Sequence, residues 1–147
     1  MSSTDVSHHV GYQLKRAQHA LRSRMDEALR SLEITTPQYA VLSILEHEPG
    51  LSGAALARRS FVTAQTMNPI LVSLEANGLV ERRPHPEHGR VIATFLTERG
   101  REVLARCHER VFAVEARMLA GVGDEQAQLL ADLLRQCADR LEGGGSM

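Results

Sequence analysis

A short polar segment near the middle of the chain carries side chains that can hydrogen-bond to the edges of DNA bases. Its members are small or amide-bearing and fall within six consecutive positions: Thr63, Ala64, Gln65, Thr66 and Asn68. Gln and Asn can form paired hydrogen bonds with adenine, and Thr can contact a thymine methyl group or a phosphate. Because the major groove admits one α-helix, this segment at a helix start predicts a base-reading surface. An ordinary solvated helix start is the alternative.

Basic residues follow this segment, around a turn rich in proline. Arg82 and Arg83 precede the turn at 84–89, which contains His88, and Arg90 follows it. Arginines of a β-hairpin can enter a narrow minor groove, where negative potential is concentrated. His88 can carry a positive charge near neutral pH. We therefore predict that these three arginines and His88 contact DNA, against the alternative that Arg90 is an ordinary solvated arginine.

Two short helices are needed to position the polar segment. Ser52 is a suitable cap for a helix that ends near Ser60, and Thr63 can cap the next helix. This second helix should continue to about Asn77, because Gly78 stands where helices commonly end in a left-handed conformation. Two helices joined by a tight turn, with small polar residues at the second start, indicate a helix–turn–helix.

A β-hairpin is predicted directly after these helices. The apolar period changes from 3.6 to 2, which favours strands at 79–83 and 90–96 on either side of the turn. Before the helix pair, Thr36 can cap a further helix with Pro37 at its first position, where the missing N–H is tolerated. Pro69 lies inside the base-reading helix and should kink it without abolishing it.

The two ends of the chain carry long helices with apolar stripes. We expect one from about Val6 to Leu32, another from its cap Thr97 to about Ala120, and a last one capped by Asp124. Their apolar residues recur at spacings of three and four: Val10, Leu14, Ala17, Leu21, Met25, Ala28 and Leu32; Leu104, Cys107, Val111, Val114 and Met118; Leu130, Leu134, Cys137 and Leu141. These seams favour pairing of two chains. Packing within one chain is the alternative for any single seam.

Composition limits the classes of protein that fit. The 147 residues have 43% hydrophobic content and a net charge of −1, as in one globular domain. Charges interrupt every apolar run before the roughly 18 residues that a membrane span needs. The start of the chain lacks a basic region followed by an apolar block, so we expect a cytoplasmic protein without a membrane partner. Residues 52–99 are basic, with six Lys or Arg against four Asp or Glu.

Catalytic and metal-binding patterns are weak in this sequence. No nucleophile–base pair or cluster of carboxylates stands out, so an enzyme is not predicted. The seven histidines show no spacing that fixes four ligands around one ion, and we expect no metal and no cofactor. Cys107 and Cys137 both fall on apolar seams, and buried thiols are usually inert. A dimeric helical adaptor that binds protein instead of DNA is the alternative of another class.

Motifs across nearly the whole chain resemble those of the multiple antibiotic resistance regulator (MarR) family of winged helix–turn–helix repressors. The matching segments are Thr36-Pro37-Gln38-Tyr39, Leu51-Ser52-Gly53-Ala54-Ala55-Leu56-Ala57, Thr63-Ala64-Gln65-Thr66-Met67-Asn68, Leu74-Glu75-Ala76-Asn77-Gly78-Leu79-Val80 and Arg82-Arg83. The family's wing signature is Asp, any residue, Arg, five residues, then Leu-Thr. Here Arg90, Leu96 and Thr97 match, His88 replaces the Asp, and Pro69 replaces a basic residue common in the reading helix.

The resemblance implies a homodimeric repressor that binds a pseudo-palindromic double-stranded DNA operator. The single domain 1–147 would consist of dimerisation helices at about 6–34 and 98–141, a winged helix–turn–helix lobe at about 36–97, and a flexible tail at 143–147. The fold class is therefore mainly α with a small β-hairpin wing.

Family members often bind small phenolic or other lipophilic effectors between the dimerisation helices and the DNA-binding lobe. His19 and Tyr39 are our candidates for such a site, although Tyr39 is also explained as a core residue with its hydroxyl at the surface. Oxidant or metal sensing is the alternative mode of control. The peroxide-sensing branch has its reactive cysteine in the first helix, where this chain has none. Glu46-His47 and Cys107-His108 could converge, because the second and fifth helices are neighbours in the family.

Overall fold

The structure is a computed structural model that describes residues 8–143. The chain forms two compact units that divide after Val114. The described residues form six α-helices, a short 3-10 helix and one three-stranded sheet, which confirms the predicted fold class. The predicted helix start at Val6 and the tail beyond Gly143 lie outside the described residues.

The first helix, α1, spans Val10–Leu29 and is followed by a 3-10 helix at Arg30–Leu32. The α-helix is therefore shorter than the predicted helix, which ran to Leu32. Glu33 ends the helical segment in a left-handed conformation with φ 58°. Leu29 is fully buried, although the predicted stripe included its neighbour Ala28 instead. Much of α1 is exposed along its apolar stripe, and Val10 and Leu14 are examples.

The second helix, α2, spans Thr36–His47 and is capped by Thr35, so the predicted cap at Thr36 is wrong. The Thr35 hydroxyl accepts from the Gln38 N–H, and the Gln38 side chain accepts from the Thr35 N–H. This reciprocal pair is a capping box, which satisfies two amide groups at the helix start. The Thr36 hydroxyl donates instead to Asp26 of α1, and this hydrogen bond lowers the pKa of that carboxyl group.

The next two helices are α3 at Gly53–Arg59 and α4 at Ala64–Ala76. Ser52 and Thr63 cap them as predicted, since each hydroxyl accepts from a backbone N–H in the first helical turn. Gly78 adopts a left-handed conformation with φ 74° after α4, which also confirms the prediction. Pro69 lies within α4, and the helix is continuous through it.

The three strands are β1 at Leu51–Ser52, β2 at Val80–Pro84 and β3 at Ile92–Leu96. They form an antiparallel sheet in the order β1-β3-β2. The hairpin of β2 and β3 was predicted, but both strands begin later than expected. The sequence did not predict β1, because two residues are too few to show a period.

Aliphatic side chains fill the core of the first unit. Leu29, Leu42, Leu45, Leu56, Leu74 and Leu104 are each no more than 1% exposed. Of the predicted inward residues of α4, Met67, Leu71 and Leu74 are buried and Ile70 is partly buried. Helices α1 to α5 and the sheet therefore share one hydrophobic cluster.

Helix α5 spans Glu98–Met118 and is held at its start by Thr97, as predicted. The Thr97 hydroxyl accepts from the Gly100 N–H at 2.9 Å and donates to the Gly78 carbonyl at 2.6 Å. The Thr97 N–H also donates to the Leu79 carbonyl at 3.1 Å. One residue thus joins the end of α4, the start of β2 and the start of α5.

Helix α6 spans Asp124–Glu142 in the second unit. Its N-cap is Gly123, so the prediction that Asp124 caps it is wrong; the Gln126 side chain accepts from the Gly123 N–H. No residue of α6 is buried in the single chain, and Leu130, Leu134 and Leu141 are exposed. The apolar seam predicted for α6 is therefore present but uncovered.

The approach of α5 to Leu79 predicts a severe effect of adding one methyl group. A Cβ at Gly100 would lie 2.1 Å from the Leu79 carbonyl oxygen, whereas a Cβ at Gly11 would meet nothing within 4 Å. We expect Gly100→Ala to lower the free energy of unfolding by about 3 kcal/mol. Gly11→Ala should change it by less than about 1 kcal/mol. Urea unfolding at equal protein concentration measures both, and equal midpoints would contradict this packing.

Candidate nucleic-acid interface

The first turn of α4 is fixed by its own threonines. The Thr63 hydroxyl oxygen accepts from the Thr66 N–H at 3.1 Å, and its O–H donates to the Thr66 hydroxyl oxygen at 3.1 Å. Both residues are exposed, as are Ala64, Gln65 and Asn68. The structure therefore places all five sequence-predicted residues on an accessible helix start.

Gln65 and Asn68 lie three positions apart on α4, so their side chains share one face of the helix. They line a shallow groove of about 490 Å³ together with residues from the start of α3, from α4 and from β2: Gly53, Ala54, Ala64, Met67, Pro69, Leu71 and Arg82. The groove therefore brings two amide side chains and one guanidinium group together. These groups can donate and accept hydrogen bonds along the edge of a base pair.

Arg82 and Arg83 were predicted as a pair, but the strand separates them. Successive side chains of a strand point to opposite faces of the sheet. Arg82 faces the groove beside α4, and its Nε is buried without a hydrogen-bond partner in the described part of the chain. Arg83 lies on the other face, with its guanidinium 4.2 Å from the centre of the Phe95 ring and 3.2 Å from a Glu81 carboxylate oxygen. Only Arg82 joins the groove.

His85 organises the turn of the hairpin, a role that the sequence analysis missed. Its Nδ1 accepts from the Glu87 N–H at 3.0 Å and from the His88 N–H at 3.2 Å. Its backbone N–H donates to the Val91 carbonyl at 2.8 Å. Because Nδ1 accepts, the imidazole must carry its proton on Nε2. The sequence signal that could have indicated this role is the position of His85 between Pro84 and Pro86 in the turn.

His88 and Arg90 are both exposed in this turn. Arg90 was predicted within the second strand, but β3 begins at Ile92, so Arg90 belongs to the turn. The two side chains lie beyond the paired part of the hairpin. This position leaves both accessible to an anionic partner.

Another arginine of this lobe is neutralised by an ion pair. Arg59, at the end of α3, donates from Nε and Nη2 to the two carboxylate oxygens of Glu48 at 2.8 and 2.7 Å. The hydrogen bonds from Arg59 lower the pKa of Glu48, and those to Glu48 raise the pKa of Arg59. The pair offsets part of the positive charge near the helix–turn–helix.

Tyr39 takes part in a polar chain between α2 and α5. Its hydroxyl oxygen lies 2.8 Å from Nδ1 of His108, whose Nε2 lies 3.0 Å from a Glu46 carboxylate oxygen. The His108 ring stacks on Phe112 with centroids 5.2 Å apart. Tyr39 is only 9% exposed, as expected for a core residue, and its hydroxyl contacts the partly exposed His108. His19, the other effector candidate, is exposed on α1.

The expected convergence of α2 and α5 occurs in part. Glu46 meets His108, but Cys107 points into the core and is fully buried. Burial raises the pKa of the Cys107 thiol, which disfavours the reactive thiolate. Cys137 is exposed in the single chain, where the seam of α6 is uncovered. Within residues 8–143, no group of three or more His, Cys, Asp or Glu could hold a metal ion.

The helices of the described range were also compared with the length and hydropathy that a membrane span needs. None of them is both long and apolar enough to span a bilayer.

Comparisons with known proteins agree with this arrangement. A model of the MarR family matches residues 32–91. The HTH-type transcriptional repressor Rv2887 of Mycobacterium tuberculosis is 41% identical over 111 residues, which cover 76% of this chain and 80% of the relative. The HTH-type transcriptional repressor IacR of Pseudomonas putida is 27% identical over 89% of this chain and 78% of its own.

Solved structures give the same result. Rv2887 in complex with DNA matches with a TM-score of 0.74 and 37% identity, covering 87% of this chain and 96% of that one. Rv2887 with salicylic acid matches with a TM-score of 0.72 and 38% identity, covering 87% and 95%. The repressor CouR bound to a 23-mer DNA duplex matches with a TM-score of 0.84 and 27% identity, covering 94% and 98%.

The polar chain between α2 and α5 predicts that removing the hydroxyl of Tyr39 destabilises the protein more than removing the hydroxyl of Tyr12. Tyr39→Phe keeps the ring but removes the partner of His108 Nδ1, so the free energy of unfolding should fall by about 1–2 kcal/mol. Tyr12 is 44% exposed on α1, and Tyr12→Phe is the matched control with little expected change. Urea titration at equal protein concentration compares them. An equal effect of the two substitutions would show that the His108 contact contributes nothing.

Proposed function

The chain belongs to the MarR family of transcriptional regulators, and we propose that it is a repressor that binds a pseudo-palindromic operator as a homodimer. The start of α4 enters the major groove in this proposal, and the wing contacts the DNA beside it. The protein acts by binding DNA in the cytoplasm and not by catalysing a reaction.

The observation that carries the proposal is the shared groove of Gln65, Asn68 and Arg82. The two amides project from the part of α4 that would enter the major groove. Arg82 reaches the same groove from β2, so a cation lies beside the base-reading amides. Because Arg82 lines the groove, the outer N–H groups of its guanidinium can donate to a DNA phosphate or base there.

The wing supports the same proposal from a second direction. Arg90 and His88 are exposed in a turn whose shape His85 holds. An exposed arginine near a hairpin tip can reach the sugar–phosphate backbone or a narrow minor groove. Arg83 is restrained by Glu81 and Phe95, so we assign it a lesser part in binding.

Uncovered apolar residues at both ends of the chain support the homodimer. Exposed side chains on α1 and on α6 follow the predicted seams: Val10 and Leu14, and Leu130, Leu134 and Leu141. Apolar stripes of this kind are buried when two helices pack together. A second copy of the chain would provide the matching stripes.

If α4 reads bases, removing one of its amide side chains should reduce base preference at a single position of the operator half-site. After the operator is selected from a random duplex pool, Gln65→Ala or Asn68→Ala should relax the preference at one position in each half-site. The lost paired contact costs about 1–3 kcal/mol at that position. Glu75→Ala, on the exposed end of the same helix, is the control and should keep the full preference.

Two outcomes of this experiment would contradict the assignment. Uniform weakening across all operator variants would assign Gln65 and Asn68 to phosphates. Wild-type binding that is absent, or that does not weaken as salt increases, would contradict operator binding itself, because phosphate contacts release counterions.

The effector that fits best is a small aromatic acid. The relative Rv2887 has been solved with salicylic acid and with p-aminosalicylic acid. In this chain a crevice of about 160 Å³ lies between α1, α2 and α4, and its lining combines apolar side chains with one cation: Arg22, Thr36, Pro37, Ala40, Ser60, Val62, Met67 and Ile70. An aromatic ring could pack on Met67 and Ile70 while its carboxylate pairs with Arg22. His19 and Tyr39 remain the candidates from the sequence.

If the effector binds in this crevice, replacing Arg22 should reduce the sensitivity of the protein to salicylic acid. Salicylic acid should release wild-type protein from its operator, and Arg22→Gln should raise the concentration needed by about tenfold, as expected for a lost charged contact. Arg24→Gln is the matched control: both arginines form an ion pair on α1, Arg22 with Asp26 and Arg24 with Glu27, but only Arg22 lines the crevice. Fluorescence anisotropy of a labelled operator measures release.

Equal sensitivity of the two arginine variants would rule out the crevice. In that case His19→Ala and Tyr39→Phe test the sites that the sequence analysis selected.

A further inference from the structure

One aromatic side chain is exposed in the turn that leads into α4. Phe61 is 87% exposed and has a left-handed backbone with φ 60°. Left-handed conformations are unfavourable for residues with a Cβ, and bulky residues rarely adopt them. The combination of an exposed ring and a strained backbone distinguishes Phe61 from other exposed apolar residues of this lobe.

The turn around Phe61 is a helix-ending motif that normally uses glycine. The Phe61 N–H donates to the Arg58 carbonyl at 3.3 Å, and the Val62 N–H donates to the Ala57 carbonyl at 3.1 Å. These two bonds form a Schellman motif at the end of α3, in which Phe61 occupies the position after the cap residue Ser60. Glycine is the common residue there, because it has no Cβ. Gly78 fills the corresponding role after α4.

The fold does not use the Phe61 ring. The next residue, Val62, packs against the hydrophobic core, whereas Phe61 points away from it. A glycine would satisfy the same backbone bonds with less strain. A strained residue whose side chain contributes nothing to the core indicates a contact outside the chain.

The location of Phe61 identifies the surface that it extends. It lies two residues before the cap Thr63, next to the exposed start of α4. Along the chain, Phe61 is therefore close to the helix start that presents Gln65 and Asn68. In the major groove the apolar group available to an aromatic side chain is the C5-methyl group of thymine.

We propose that Phe61 is a specificity-determining residue that contacts a thymine methyl group in each half-site of the operator. The proposal rests on operator binding as proposed above. The strained backbone directs the ring toward the DNA, and the apolar contact adds a preference for thymine beside the amide-read positions. Arg58, in the last turn of α3, is exposed and can neutralise a nearby phosphate.

The decisive variant is Phe61→Gly, because its effects on folding and on binding should have opposite signs. Removing the Cβ relieves the backbone strain, so the urea midpoint should rise or stay unchanged. Operator affinity should fall by about tenfold for the dimer, from one lost methyl contact in each half-site. Phe61→Leu keeps an apolar group on the same backbone and is the control, with a smaller loss of affinity.

Replacing thymine by uracil in the selected operator removes only the methyl group and identifies the contact. Wild-type protein should lose affinity at one uracil position in each half-site, whereas Phe61→Gly should bind the two operators equally.

Three results would overturn the proposal. Wild-type affinity in Phe61→Gly would show that the ring does not contact DNA. An equal further loss on uracil substitution in both proteins would assign the ring to the sugar–phosphate backbone. A changed sedimentation coefficient with unchanged operator affinity would assign it to contact between chains. Wild-type protein that binds no operator would instead contradict the proposed function.

Discussion

The contacts of Thr97 with the end of α4 and the start of β2 set the geometry of the whole first unit. Its hydroxyl bonds to Gly78 and Gly100, and its N–H bonds to the Leu79 carbonyl. The base-reading helix, the hairpin and α5 therefore start or end within one hydrogen-bonded junction. Any shift at this junction would move the wing relative to α4 and change the direction in which α5 leaves the lobe.

Local chemistry made most of the fold predictable from the sequence. The caps Ser52 and Thr63 and the left-handed Gly78 were correct, because each depends on residues within one helical turn. The errors at Thr36 and Asp124 have a common cause. Each is a suitable cap by type, but a neighbouring residue paired with a glutamine three positions later and took the position. The strand β1 depends on pairing with β3, which no local pattern shows.

In the candidate site, too, the features that depend on local sequence were predictable and those that depend on distant residues were not. Exposure of Gln65 and Asn68 followed from the position of the Thr63 cap, and the separation of Arg82 from Arg83 follows from strand alternation. The family resemblance suggested that Glu46 and His108 could meet, but only the folded structure shows that the Tyr39 hydroxyl, 69 positions from His108 along the chain, joins them. The left-handed conformation of Phe61 was also not predicted, because glycine is the residue that normally marks this position and Phe carries no such local signal.

The shape of the wing depends on one imidazole nitrogen. Nδ1 of His85 accepts from two backbone N–H groups of the turn, those of Glu87 and His88. A side chain without an acceptor at this position would leave both groups without their partner in the turn. His88 and Arg90, which the turn carries, would then lose the fixed position from which they can meet an anionic partner, although neither side chain would be altered. The charge of the wing and the rigidity that aims it therefore reside in different residues of one hairpin.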